Sequence, residues 1–326
     1  DDVDEIMPPT DEHKPLSQPQ IETLKQWIEQ GANYDSHWAF VPPRKIPLDS
    51  LAGNQSTALQ PIDALVSAKL VEVGMEPSPP AESPVLCRRI YLDLIGLPPT
   101  LEELDACARD GVEATVKKLL ASQRYGEKWA RHWLDAARYS DTNGYEKDLQ
   151  RDQWIWRDWV IDALNRDMPY DQFIREQIAG DLMPGATQDQ IIATGFLRNS
   201  MLNEEGAIVP EQFRMFEMFD RIDCIGKSIM GLTTQCAQCH NHKFDPVSQQ
   251  EYYGIFAYLN DTYEAQSWVY NQEQQQQLAE VHTALVDIDR RVRQARPEWQ
   301  SELEAFTKQL AEQQIEWQPL PFHQLE

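Results

Sequence analysis

Nearly every periodic segment of this chain repeats its apolar residues three or four positions apart, the spacing of one face of an α-helix. The segments VLCRRIYLDLIGL, TLEELDACARD, VEATVKKLLAS, YGEKWARHWLDAARY, DQWIWRDWVIDALNRD, YDQFIREQIAGDL and DQIIATGFLRN follow one another with Gly, Pro, Asp or Asn between them. A sheet protein would need alternation instead, so the expected fold is all-α, a compact multi-helix body. Trp129, Trp133, Trp154, Trp156 and Trp159 fall near its middle, and a Trp row at helical spacing reads first as core.

The flanks differ from the body. In LSQPQIETLKQWIEQGAN, Ser17 and Gln20 form a capping box, Ile21, Leu24, Trp27 and Ile28 make a stripe, and Gly31 supplies the stop. Residues 41–60 carry Pro42, Pro43 and Pro47 without a sustained period and read as a linker. A helix follows, with Pro61 in its first turn and Gly74 at its end. Near the C-terminus, Leu278, Val281, Leu285, Ile288 and Val292 step by 3 and 4 in alternation. Beyond Pro297, Trp299, Leu303, Phe306 and Leu310 do the same, so a helical hairpin with a heptad seam is expected from about 272 to 314, packed on itself or on a partner. The ending EWQPLPFHQLE loses the pattern, which suggests that a further domain follows.

Charge and hydropathy narrow the function. The chain has 29 Lys and Arg against 53 Asp and Glu, a net charge of −24 spread along its length. Phosphate would be repelled, so duplex nucleic acid is excluded as a partner. No apolar run nears the eighteen or so residues needed to cross a bilayer, so no transmembrane segment is expected in the chain. The opening DDVDEIMPPTDEHK lacks the charged start and apolar core of a signal peptide and reads as a processed or trimmed start.

The chain has five cysteines at irregular spacing, which is not a disulfide framework. Cys87, Cys107 and Cys224 sit among helical apolar positions and read as small buried hydrophobes. Cys236 and Cys239 differ: they open the run CAQCHNHKFDP, a C-x-x-C-H completed by His240. In covalent haem attachment the two thiols add to the porphyrin's vinyl groups and the adjacent imidazole takes an axial position of the iron. At this chain's Cys and His frequencies the motif arises by chance in about one chain in 600, so haem c is the favoured cofactor. Two alternatives stay open. A structural zinc site wants four ligands, and only His242 lies near. A redox pair wants a strand before it and a helix after, whereas this one follows a long helical stretch.

The iron's second face decides between a carrier and a catalyst. His242 is too close in sequence to wrap to the opposite face. His132, between Trp129 and Trp133, is the chosen second ligand, with Met201 and Met230 as alternatives. For a substrate pocket the candidates are Asp141, Tyr145, Glu146, Glu204, Glu205 and His242, although DTNGYEKD and NEEG equally suit caps and turns.

YLDLIGLPPT, YGEKWARHWLDAARYSDTNGYEKD, WRDWVIDALNRDMPYDQFIREQIAGDL, ATGFLRN, NEEG and GLTTQCAQCHNHKFDPVSQQEYY together resemble an uncharacterised planctomycete-type domain family, over about 61 to 261. The segment from MPP through WAFVPP resembles the closing half of the planctomycete-type cytochrome c domain that commonly precedes it. In that domain the Met of MPP, here Met7, is an axial ligand whose own C-x-x-C-H would lie upstream. The resemblance implies an extracytoplasmic, periplasmic-type address, a further domain downstream of the same polypeptide, and a contextual link to catabolism of complex carbohydrates. It brings no established reaction.

The expected organisation is therefore a cytochrome c-like remnant at 1–40, a linker at 41–60, a helical c-type haem domain at 61–265, and the hairpin with the start of a further domain at 266–326. The expected function is electron transfer to or from a redox partner protein through haem c, with iron ligands His240 and His132 and thioethers from Cys236 and Cys239. The alternatives are a haem-dependent oxidoreductase acting on an organic or carbohydrate substrate, and a structural metal-binding module.

Overall fold

A computed structural model describes residues 16–35, 37–45, 60–262 and 267–312. Met7 and the ending EWQPLPFHQLE lie outside the described residues. The described residues form thirteen α-helices and no strand, as the spacing predicts. The chain divides between Ala81 and Glu82.

The N-terminal unit contains α1 (Gln18–Glu29) and α2 (Pro61–Glu72). The capping box of α1 is present, with Ser17 N–H donating to Gln20 Oε1 at 2.8 Å. No residue of α1 is buried.

The second unit opens with α3 (Ser83–Ile95), α4 (Leu101–Asp110) and α5 (Val112–Leu120), which close a small core of Cys87, Tyr91, Cys107 and Leu119. Burial, followed by the neighbouring Cys107 thiol, pushes the Cys87 thiol up to about 11, so it is unreactive at neutral pH. The main core lies between α6 (Gln123–Ala136), α7 (Trp154–Asn165), α8 (Tyr170–Ala179), α9 (Gln188–Ala193) and α10 (Pro210–Ile225), with α11 (Gln249–Asn260) against α10. Trp156 and Trp159 are buried there and Trp133 is half-buried, whereas Trp129 and Trp154 face solvent. Trp133 Nε1–H donates to Gln177 Oε1 at 2.8 Å, which satisfies an indole and a fully buried amide together.

Helices α6 and α7 approach closely because residue 126 is glycine. A Cβ there would stand 2.5 Å from Ile161 O and 2.6 Å from Asn165 Oδ1, and the bare Gly126 N–H donates to that Asn165 oxygen at 2.8 Å.

The stretch expected as a hairpin contains α12 (Gln272–Ala295) and α13 (Trp299–Glu312). Both helices form where the heptads place them, yet neither buries a residue, and its seam positions Leu285, Val292 and Phe306 stay 58%, 53% and 57% exposed. Deleting 272–326 should therefore leave the thermal unfolding of the α3–α11 body within about 0.5 kcal/mol of the parent. A larger loss in a calorimetric melt would show that the seam packs on the body.

Candidate functional site

The C-x-x-C-H run is positioned by the end of α10. That helix finishes in a single π-turn, Gly226–Met230, and Gly231 at φ 67° stops it. The chain then doubles back, Leu232 N–H donating to Gly226 O at 3.0 Å. Glycine at 226 permits this, since a Cβ there would meet Thr234 Cγ2 at 2.6 Å. Thr234 is buried and its hydroxyl donates to Ile222 O at 3.3 Å. From that anchor the chain makes a short 3-10 turn, Thr234–Gln238. Ala237 points inward and is fully buried, while Cys236 and Cys239 on either side are exposed free thiols. The far side is tied to α11, where Tyr253 O–H and Gln249 Nε2–H donate to Gln238 O at 3.0 and 3.2 Å, and Gln249 N–H donates to Asn241 Oδ1 at 2.9 Å.

The two histidines of the run are in opposite states. His240 is exposed, and its Nδ1 lies 2.8 Å from Asn241 O. A carbonyl only accepts, so Nδ1 carries the hydrogen, and in the neutral ring Nε2 keeps its lone pair. His242 is turned into its own loop. Its Nδ1 accepts the backbone N–H groups of Phe244 and Asp245 at 3.2 and 2.8 Å, so its hydrogen is on Nε2, 3.6 Å from Asp245 Oδ2. The run HKFDP is thus a self-bonded loop closed by His242 N–H to Val247 O at 2.8 Å. His242→Ala should cost about 1–3 kcal/mol by orphaning those two N–H groups, with the thiols of the turn still reactive. Urea unfolding read against labelling of Cys236 and Cys239 by a thiol reagent checks both halves of that expectation.

The other cysteines offer no such chemistry. Cys87, Cys107 and Cys224 are buried, as their apolar spacing predicts. Burial raises the Cys224 pKa against the pull of Arg138. Cys224 Sγ lies 3.8 Å from Ala136 O.

His132 is exposed on α6 with its ring 5.6 Å from that of Trp129. None of the hydrogen bonds and ring contacts described for it reaches the 236–240 turn. Met201 and Met230 are 57% and 48% exposed. Among the described residues no group of three or more His, Cys, Asp or Glu side chains is gathered as a metal site would require.

The loops DTNGYEKD and NEEG are brought together. Asn143 Nδ2–H donates to Glu204, Lys147 N–H to Glu205 Oε1 at 2.8 Å, and Leu202 N–H to Asn143 O at 3.0 Å. Asp141 accepts from Tyr139 O–H. Asp141, Glu204 and Glu205 therefore hold turns, while Tyr145 lines a cleft of about 540 Å³ and Glu146 is exposed. Sequence spacing does not reveal that cleft's other walls, Arg138, Arg151, Phe216 and Glu217, because they come from three separate segments.

No curated protein and no solved structure matches this chain. The model of the PSCyt2 family, described as a protein of unknown function (DUF1549), matches residues 61–264, more than half of the 326, and takes in α2 through α11 with the whole C-x-x-C-H turn. The chain belongs to that family.

Proposed function

We propose that the chain carries haem c on Cys236 and Cys239, with His240 as an axial ligand, and exchanges electrons with a redox partner outside the cytoplasm. The observation that carries the reading is the pairing of two exposed thiols with an exposed imidazole whose Nδ1–H is committed to Asn241 O. That bond fixes the tautomer that a metal ligand needs. Bound haem would supply a one-electron couple; the chain's part is to present both sulfurs and Nε2 on one rigid turn. Rigidity comes from Ala237 and Thr234 beneath the turn and from Tyr253 and Gln249 beside it. Phe244, 82% exposed in the same loop, offers apolar surface. With a net charge of −24, docking favours a basic partner face and weakens with salt.

His132 is the proposed second ligand, and His132→Ala separates the cases. A ligand's removal opens the reduced iron to carbon monoxide and moves the Soret band, whereas an unchanged spectrum returns His132 to a surface role. The reading itself is tested by producing the protein with haem-attachment machinery. Haem should remain on the chain through denaturing electrophoresis and acid-acetone extraction. A haem-free chain, made beside a control cytochrome that matures normally, overturns it.

A further inference from the structure

The cleft of about 540 Å³ in the second unit is unaccounted for by the thiol site, and its size suits a small organic ligand. Its charges are unevenly matched. Asp220 accepts from Arg138 Nη2 at 2.6 Å, and Glu217 faces Arg221 at 3.4 Å, so each carboxylate on the wall has a guanidinium. Arg151 is held differently. Its guanidinium donates to four main-chain carbonyls, those of Ser140, Arg198, Asn199 and Ser200, at 2.8–3.3 Å. Carbonyls satisfy its N–H groups without cancelling its charge, and burial, with Arg138 and Arg198 alongside, pushes its pKa down. A half-buried cation facing a cleft calls for an anion there.

The cleft also has apolar lining. Tyr145 and Phe216 are 38% and 50% exposed, and both lean edge-on against Phe213 at 5.5 and 5.8 Å. Two lining residues, Arg138 and Tyr145, are held at φ 60°, in the left-handed region that non-glycine residues rarely enter. Such strain collects at ligand-binding walls.

We propose that this cleft binds a small organic carboxylate, its charge against Arg151 beside the hydroxyls of Ser140 and Thr142, and its body on Tyr145 and Phe216. A monoanion is indicated because one guanidinium on the wall lacks a carboxylate among its described hydrogen bonds. The proposal is independent of the haem reading.

Calorimetric titration of the full chain with benzoate and glucuronate, against benzamide, glucose and inorganic phosphate, tests it. At least one carboxylate should saturate at or below about 1 mM, with its neutral counterpart at least tenfold weaker and the affinity falling with salt. Arg151→Gln should abolish binding but also loosens four carbonyls. Phe216→Glu, at a half-exposed position, keeps the fold and should weaken binding at least tenfold by adding a like charge. No saturation, equal binding of neutral counterparts, phosphate binding as tight as the carboxylates, or an unaffected Phe216→Glu would each overturn the proposal.

Discussion

With haem attached as proposed, replacing both Cys236 and Cys239 with alanine should abolish covalent haem completely, while Cys87→Ala and Cys224→Ala should leave the haem stain at the parental level. The contrast follows from exposure. Cys236 and Cys239 stand at the surface on either side of the buried Ala237, whereas Cys87 and Cys224 are 1% and 2% exposed inside packed helices. A porphyrin cannot reach a thiol that no solvent reaches. Both thiols are exposed, so the double variant's unfolding free energy should stay within about 0.5 kcal/mol of the parent, and absence of haem will not be a folding defect. Stained gels of the four proteins, matured in the same cells, check the expectation. Haem retained on the double variant would move the attachment elsewhere.

The largest stability effect should come from Trp156→Ala. Trp156 is 2% exposed, packs against the rings of Tyr139 and Phe196, and presses its Cβ to within 2.9 Å of where a side chain on Gly195 would begin. Removing it opens a cavity where α7 meets α9 and the 194–198 turn, at a cost of about 3–5 kcal/mol. A domain's whole stability is about 5–15 kcal/mol, so the variant should unfold at markedly lower urea with the slope of the transition unchanged. Trp156→Phe should cost far less, because the indole Nε1–H is buried without a hydrogen-bond partner and phenylalanine removes that unsatisfied donor. Equal losses for the two variants would mean that ring shape, not buried volume, governs the site.

Local signals were legible from residues alone. Helix content, the capping box at Ser17 and Gln20, the stop at Gly74, the buried Cys87, Cys107 and Cys224, and the singular C-x-x-C-H spacing all depend on neighbours a few positions apart. A helix closes its hydrogen bonds within four residues, so its signature is written in a short window. Contacts between distant segments have no such window. Even within one loop, spacing does not separate His240, whose Nδ1 meets Asn241 O, from His242 two residues on, which spends Nδ1 on the backbone N–H groups of Phe244 and Asp245. Only the tertiary structure turns Glu204 and Glu205 into partners of a turn some sixty positions earlier, and assembles Arg138, Arg151, Phe216 and Glu217 into one cleft. The heptads of α12 and α13 show the converse: the helical period specified both helices, but burial needs a second surface, and in this chain their seam stays half exposed.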